Sequence, residues 1–77
     1  MRRAANPQPA LGAAVRQLRG ERGLTQESLA QNADITAGHL SMIERGLANP
    51  SWGAVKGIAN ALGVSIADLA KLADRLD

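Results

Sequence analysis

The stretch LTQESLAQNADITAGHLSMIERGLANPS, residues 24–51, carries the most informative pattern in this chain of 77 residues. Two short runs of apolar residues at helical spacing lie within it, and each follows a threonine that can cap a helix N-terminus. The first run follows Thr25 and the second follows Thr36, while Asp34 between them is a turn residue that tolerates a left-handed backbone. The stretch therefore predicts two short helices joined by a tight turn, over about residues 25–45.

The packing expected of these two helices leaves one side of the second helix free to contact a partner. Ala30 is small at the predicted crossing point, which lets the two backbones approach. Leu40 and Ile43 anchor the second helix to the core, so its N-terminus and its outer face remain exposed. A short helix held in this way can enter the major groove of DNA, which is about 12 Å wide.

Helical patterns continue on both sides of this stretch. Upstream, apolar residues at helical spacing run from Ala10 to near Gly23. Downstream, Ser51 and Ser65 are predicted to cap a fourth and a fifth helix, and Gly63 is predicted to close the fourth. No segment alternates with the period of two that marks a strand, so the chain is predicted to be all-α, with five short helices.

The first nine residues differ from the rest of the chain. Residues 1–9 contain two of the three prolines and show no apolar period, so they are predicted to form a flexible N-terminal arm. A helical domain is predicted to follow over residues 10–77. Basic arms can enter a minor groove, but Arg2 and Arg3 are better explained as part of a solvated tail.

Composition excludes several classes of protein. The absence of cysteine excludes disulfides and thiolate metal sites and is compatible with a cytoplasmic location. No apolar run approaches the roughly 20 residues that a membrane span needs. With one histidine, no tyrosine, no clustered nucleophile and base, and no metal-ligand spacing, the chain is predicted to be no enzyme and to need no metal or cofactor. Trp52, the only aromatic residue, holds an apolar position of the fourth predicted helix and is predicted to lie in the core.

The small net charge of +2 is unevenly distributed. Residues 1–45 hold six arginines against four acids, whereas residues 46–77 hold three bases against three acids. An anionic partner should therefore meet the first half of the chain.

Motifs from about Leu11 to Leu72 also resemble a known family. They are Arg19, Leu24-Thr25-Gln26, Leu29-Ala30, Leu40-Ser41, Ile43-Glu44-Arg45-Gly46, Asn49-Pro50-Ser51, Ile58-Ala59 and Ala61-Leu62-Gly63-Val64-Ser65. In this combination the chain resembles the repressor/Cro-type, or XRE, helix-turn-helix family. The resemblance implies a compact five-helix lambda-repressor-like domain. It also implies a transcriptional regulator, most simply a repressor, that binds double-stranded DNA as a homodimer on a palindromic operator. Other uses of such domains stay open, namely an antitoxin that binds a toxin and represses its own promoter, or a restriction–modification controller protein.

The resemblance also implies which residues meet DNA. The predicted contacts are Gln26, Thr36, Ala37, Gly38, His39, Ser41, Met42, Arg45 and Asn49. Gln26 is expected to contact a phosphate or a base edge. Arg45 is expected either to contact phosphate or to stabilise the helix end, and Asn49 to contact phosphate or simply to start a turn. The outer face of the third helix carries Ala37, Gly38 and Met42 where the family often has polar side chains, so hydrogen bonds to bases should be few.

Two further interactions are expected, one within the chain and one between copies of it. The resemblance implies a partly buried salt bridge between Arg19 and Glu44. The C-terminal helix is predicted to carry more apolar surface than a small monomer needs, so this surface is predicted to form a dimer interface. Its residues are Leu69, Leu72 and Leu76.

Overall fold

The computed structural model describes residues 8–77, and within that range it contains helices and no strand. The helices are α1 (Pro9–Glu21), α2 (Gln26–Ala33), α3 (Ala37–Glu44), α4 (Trp52–Leu62) and α5 (Ile66–Leu76). The predicted all-α, five-helix architecture is therefore confirmed. The predicted N-terminal arm, with Arg2 and Arg3, lies outside the described residues apart from its last two positions.

Side-chain caps determine where four of the helices begin. Thr25 Oγ1 accepts a hydrogen bond from the backbone N–H of Ser28 at 3.0 Å, and Ser28 Oγ accepts one in return from the N–H of Thr25 at 3.1 Å. The other predicted caps, Thr36, Ser51 and Ser65, each accept a hydrogen bond from the N–H three residues further on. A cap of this kind satisfies one of the four N–H groups that a helix start leaves without a partner, which stabilises it by about 1 kcal/mol.

The core is aliphatic and lies where α1, α2, α3, α4 and α5 converge. Helix α5 packs mainly against α1, and α4 packs mainly against α2. The largest fully buried side chains are Val15, Leu29, Leu40, Ile43, Ile58 and Leu69, so every helix contributes at least one. None of the helices between residues 8 and 77 is long and apolar enough to cross a membrane.

The prediction that Trp52 belongs to this core is wrong, because the residue is 65% exposed. Trp52 is the first residue of α4, and the buried stripe of that helix begins at Ala54. Two positions along a helix correspond to a rotation of about 200°, which places the indole on the opposite side. An apolar residue in the first turn thus matched the helical pattern without lying on its buried face.

Two of the three residues predicted to form a dimer interface, Leu69 and Leu72, lie in the core of their own chain. These residues are 1% and 8% exposed because they pack into the core of their own chain, leaving little surface for a second copy. The apolar spacing correctly identified the inward face of α5, but the element that covers this face is α1. Leu76, the third residue of the set, is 42% exposed.

Candidate nucleic-acid interface

A short turn sets the angle between α2 and α3. Asp34 adopts a left-handed conformation, with φ of 61° and ψ of 40°, and ends α2. The N–H of Ile35 then donates to the carbonyl oxygen of Ala30 at 3.0 Å, which closes the turn. An aspartate can occupy this region because its short polar side chain tolerates it better than most residues do.

The inner side of α3 is held firmly in place. Leu40 and Ile43 are 0% and 1% exposed. At the end of the helix, α1 approaches so closely that a Cβ added to Gly12 would overlap the carbonyl oxygen of Ile43 and would lie 2.9 Å from that of Glu44. Helix α3 is therefore seated directly on α1, with its opposite side turned outward.

The outer side of α3 holds most of the predicted DNA contacts. Gly38, His39, Met42 and Arg45 are exposed, as is Thr36, which caps the helix. Ala37 and Ser41 are half-buried at the margins of this surface. Arg45 folds back along the helix, and its Nη2 lies 3.6 Å from Met42 Sδ, within reach of a weak hydrogen bond to sulfur.

Two further predicted contacts lie outside α3. Asn49 is exposed in the segment that connects α3 to α4. Gln26 is half-buried at the first position of α2. Predicted contacts thus come from α2, from α3 and from the segment after it. Gln26 also makes a hydrogen bond within the protein.

The ion pair expected between Arg19 and Glu44 is present. Arg19 Nε donates to Glu44 Oε2 at 2.7 Å, and Arg19 Nη2 donates to Glu44 Oε1 at 3.1 Å. A third donor of the same guanidinium, Nη1, reaches the carbonyl oxygen of Leu24 at 2.9 Å. Its hydrogen bonds to Glu44 raise the pKa of Arg19 above the ordinary arginine value, so the guanidinium stays charged.

The same carboxylate has a second partner that the sequence did not reveal. Gln26 Nε2 donates to Glu44 Oε1 at 3.0 Å. The two residues are 18 positions apart and lie on different helices, so neither helical spacing nor a local motif could have indicated the contact. The hydrogen bond joins the start of α2 to the end of α3.

Two helices crossing at a short turn, with the second buried on one side and exposed on the other, define a helix-turn-helix protein. The family described as a helix-turn-helix domain matches residues 10–72, and the chain belongs to this family. The resemblance to repressor/Cro-type proteins is thereby confirmed.

Relatives and solved structures agree with this assignment. The HTH-type transcriptional regulator DdrOP3 of Deinococcus deserti is 40% identical over 71% of this chain and 43% of its own length. The immunity repressor protein of Bacillus phage phi105 is 38% identical over 73% of this chain and 39% of its own length. The crystal structure of the clp gene regulator ClgR from C. glutamicum superposes with a TM-score of 0.84 at 37% identity, over 88% of each chain. The matched region thus spans about two fifths of the first two proteins, and the chain is a helix-turn-helix protein related to transcriptional regulators.

Proposed function

We propose that this chain is a transcriptional repressor that reads a specific DNA sequence with the outer face of α3. The observation that carries the proposal is the contrast between the two sides of that helix. Leu40 and Ile43 are buried, while Gly38, Met42 and Arg45 face outward and are covered by no helix of residues 8–77. A helix exposed in this way can lie in a major groove with its side chains against the base edges.

Polar groups around α3 would position it on the phosphate backbone. Gln26, Thr36 and Asn49 can donate hydrogen bonds to phosphate oxygens, and Arg45 adds a positive charge at the helix end. Such contacts set register and orientation without reading sequence. Binding should therefore weaken steeply as salt rises, because each neutralised phosphate releases counterions.

We further propose that the repressor acts as a homodimer on a palindromic operator in the cytoplasm. A two-fold interface must be self-complementary, and Trp52 is an exposed apolar side chain next to a shallow groove on the same face. Val55, Ile66 and Ala73 help to line that groove. Two copies could each place Trp52 against the groove of the other. Of the residues first predicted for the interface, Leu69 also lines this groove, whereas Leu72 does not.

A charge placed on α3 tests the DNA-binding role. Gly38→Glu adds a carboxylate to the outer face, where a Cβ would meet nothing within 4 Å, so the fold should tolerate it. Ala13→Glu makes the same change in net charge on the exposed side of α1 and serves as the control. We expect Gly38→Glu to abolish binding to duplex DNA in fluorescence anisotropy and Ala13→Glu to weaken it only slightly. Equal effects of the two variants would show that α3 is not the contacting surface.

A further inference from the structure

The Glu44 carboxylate connects three helices through its hydrogen bonds. It is the last residue of α3, and it accepts from Arg19 on α1 and from Gln26, the first residue of α2. The side chain of Glu44 is only 2% exposed, whereas that of Arg19 is 19% exposed. A buried carboxylate needs a compensating charge and hydrogen bonds, and Arg19 supplies both. Gln26 therefore adds a hydrogen bond to a carboxylate that already has a bidentate partner.

This hydrogen bond determines which way round the amide of Gln26 lies. A carboxylate can only accept, so the amide must turn Nε2 and not Oε1 toward Glu44. One of the two Nε2 protons is then committed to Glu44 Oε1 at 3.0 Å. The second proton and the carbonyl oxygen remain available to a molecule that approaches the start of α2.

Charge balance makes this arrangement compatible with a polyanion. A lone carboxylate beside the DNA backbone would repel it. The bidentate Arg19 offsets the charge of Glu44, and the pair presents no net charge to DNA. Glu44 can thus hold a donor at a DNA-facing surface without electrostatic repulsion of the phosphates.

We propose that Glu44 is a positioning residue for DNA binding, which fixes the Gln26 amide so that its second N–H donates to a phosphate oxygen. The inference rests on the proposed function and deepens it. Glu44 itself touches no DNA, and it acts through the orientation of Gln26. The consequence is that the contribution of Gln26 to affinity depends on the carboxylate behind it.

A double-mutant cycle in DNA affinity tests this dependence. The background variant replaces the ion pair with Arg19→Met and Glu44→Met together, which leaves the net charge unchanged and is a type of replacement that proteins often tolerate. In the native chain Gln26→Ala should weaken binding about tenfold, as expected for a hydrogen bond to a charged group. In the background variant the same substitution should cost less than about twofold, because the amide is no longer oriented.

A matched control shows whether the smaller effect of Gln26→Ala in the background variant is specific to Gln26. Arg45 lies on the outer side of α3 and contacts Met42 rather than Glu44. Arg45→Ala should therefore reduce affinity by the same factor in both backgrounds. If Gln26→Ala also costs the same factor in both, Glu44 has no positioning role and the inference is overturned. If the native chain binds no DNA sequence at all, the proposed function fails and the inference fails with it.

The free protein offers an independent measurement. In the native chain one side-chain proton of Gln26 should be shifted downfield in the NMR spectrum and protected from exchange, and the background variant should lose this signature. Glu44→Asp keeps a carboxylate for Arg19 but shortens the side chain by one methylene group. If the double replacement does not fold, Glu44→Asp serves as the background variant for the same double-mutant cycle. Two equivalent, rapidly exchanging amide protons in the native chain would contradict the proposal.

Discussion

At the scale of single residues, the buried carboxylate of Glu44 has the largest expected effect on stability. Its charge is nearly excluded from solvent and is balanced by one guanidinium that makes two hydrogen bonds to it. Truncating one member of such a pair leaves the other as an unpaired buried charge. The resulting loss of stability exceeds the net stabilisation that the intact pair provides.

Arg19→Met is therefore expected to lower the free energy of unfolding by about 3 kcal/mol, as measured by urea denaturation. Arg16→Met, on the exposed side of the same helix, is the control and should change it by less than about 0.5 kcal/mol. The pKa of Arg19 is raised in the folded state, so its contribution is complete below the ordinary arginine pKa and is lost only as the pH rises through the raised value. The difference between the two variants should accordingly not vary between pH 6 and pH 9. Equal destabilisation by both substitutions would show that the ion pair is dispensable.

Met42 is the residue for which direct base readout can be tested most simply. It is 38% exposed on the outer side of α3, and its thioether can pack against the C5-methyl group of thymine. Replacing each thymine of a selected operator in turn by deoxyuridine removes that methyl group. We expect one position per half-site to lose about 1 kcal/mol of binding free energy, and we expect the loss to vanish in Met42→Ala. If all substituted operators bind equally well, Met42 does not read thymine.

At the scale of secondary-structure elements, the position of α3 depends on how closely α1 can approach it. Gly12 faces the carbonyl oxygens of Ile43 and Glu44, and a side chain at this position would push α3 outward. Gly20, on the same helix, has nothing within 4 Å of an added Cβ. A close backbone approach therefore requires glycine at position 12, whereas no neighbouring atom requires it at position 20. The sequence alone does not distinguish the two positions.

Alanine substitutions at these glycines should have opposite effects. Gly12→Ala is expected to lower the free energy of unfolding by about 1–3 kcal/mol because the added methyl group overlaps backbone atoms that cannot easily move. Gly20→Ala is expected to raise it by up to about 1 kcal/mol through its better helix propensity. Urea denaturation of both variants measures the contrast. A stabilised Gly12→Ala variant would show that α1 does not determine where α3 lies.

The elements themselves were largely predictable from the sequence, because their signals are local. Thr25, Thr36, Ser51 and Ser65 each mark a helix start through a hydrogen bond that spans three residues. The exposed position of Trp52 and the burial of α5 against α1 were not predictable, because they depend on which faces meet in three dimensions. The hydrogen bond between Gln26 and Glu44 belongs to the same category, since it requires two helices to be placed correctly relative to each other.

At the scale of the whole molecule, the proposed dimer depends on Trp52, the most exposed large apolar side chain of residues 8–77. Leu69 and Leu72 lie in the core, and Trp52 is an exposed apolar residue that lines the groove of the proposed interface. An indole that is 65% exposed is a costly feature for a protein that works alone, and aromatic residues of this kind often anchor interfaces.

Trp52→Ala is therefore expected to shift the chain toward a monomer in sedimentation equilibrium, with a dimer dissociation constant raised at least tenfold. Met42→Ala also removes an exposed apolar side chain, but from α3, and should leave the dimer unchanged. A native chain that is monomeric at high concentration, both free and bound to DNA, would contradict the proposed homodimer.

Selection of bound sequences from a random pool of duplex DNA measures whether the outer face of α3 reads sequence. If the outer face of α3 reads DNA, the native chain should enrich one motif with two-fold symmetry, whose half-sites are about 34 Å, or one turn of DNA, apart. The Gly38→Glu variant, with an intact fold, should enrich none. A folded native chain that enriches no motif, at low as well as at physiological salt, would contradict the claim that this helix-turn-helix protein is a sequence-specific regulator.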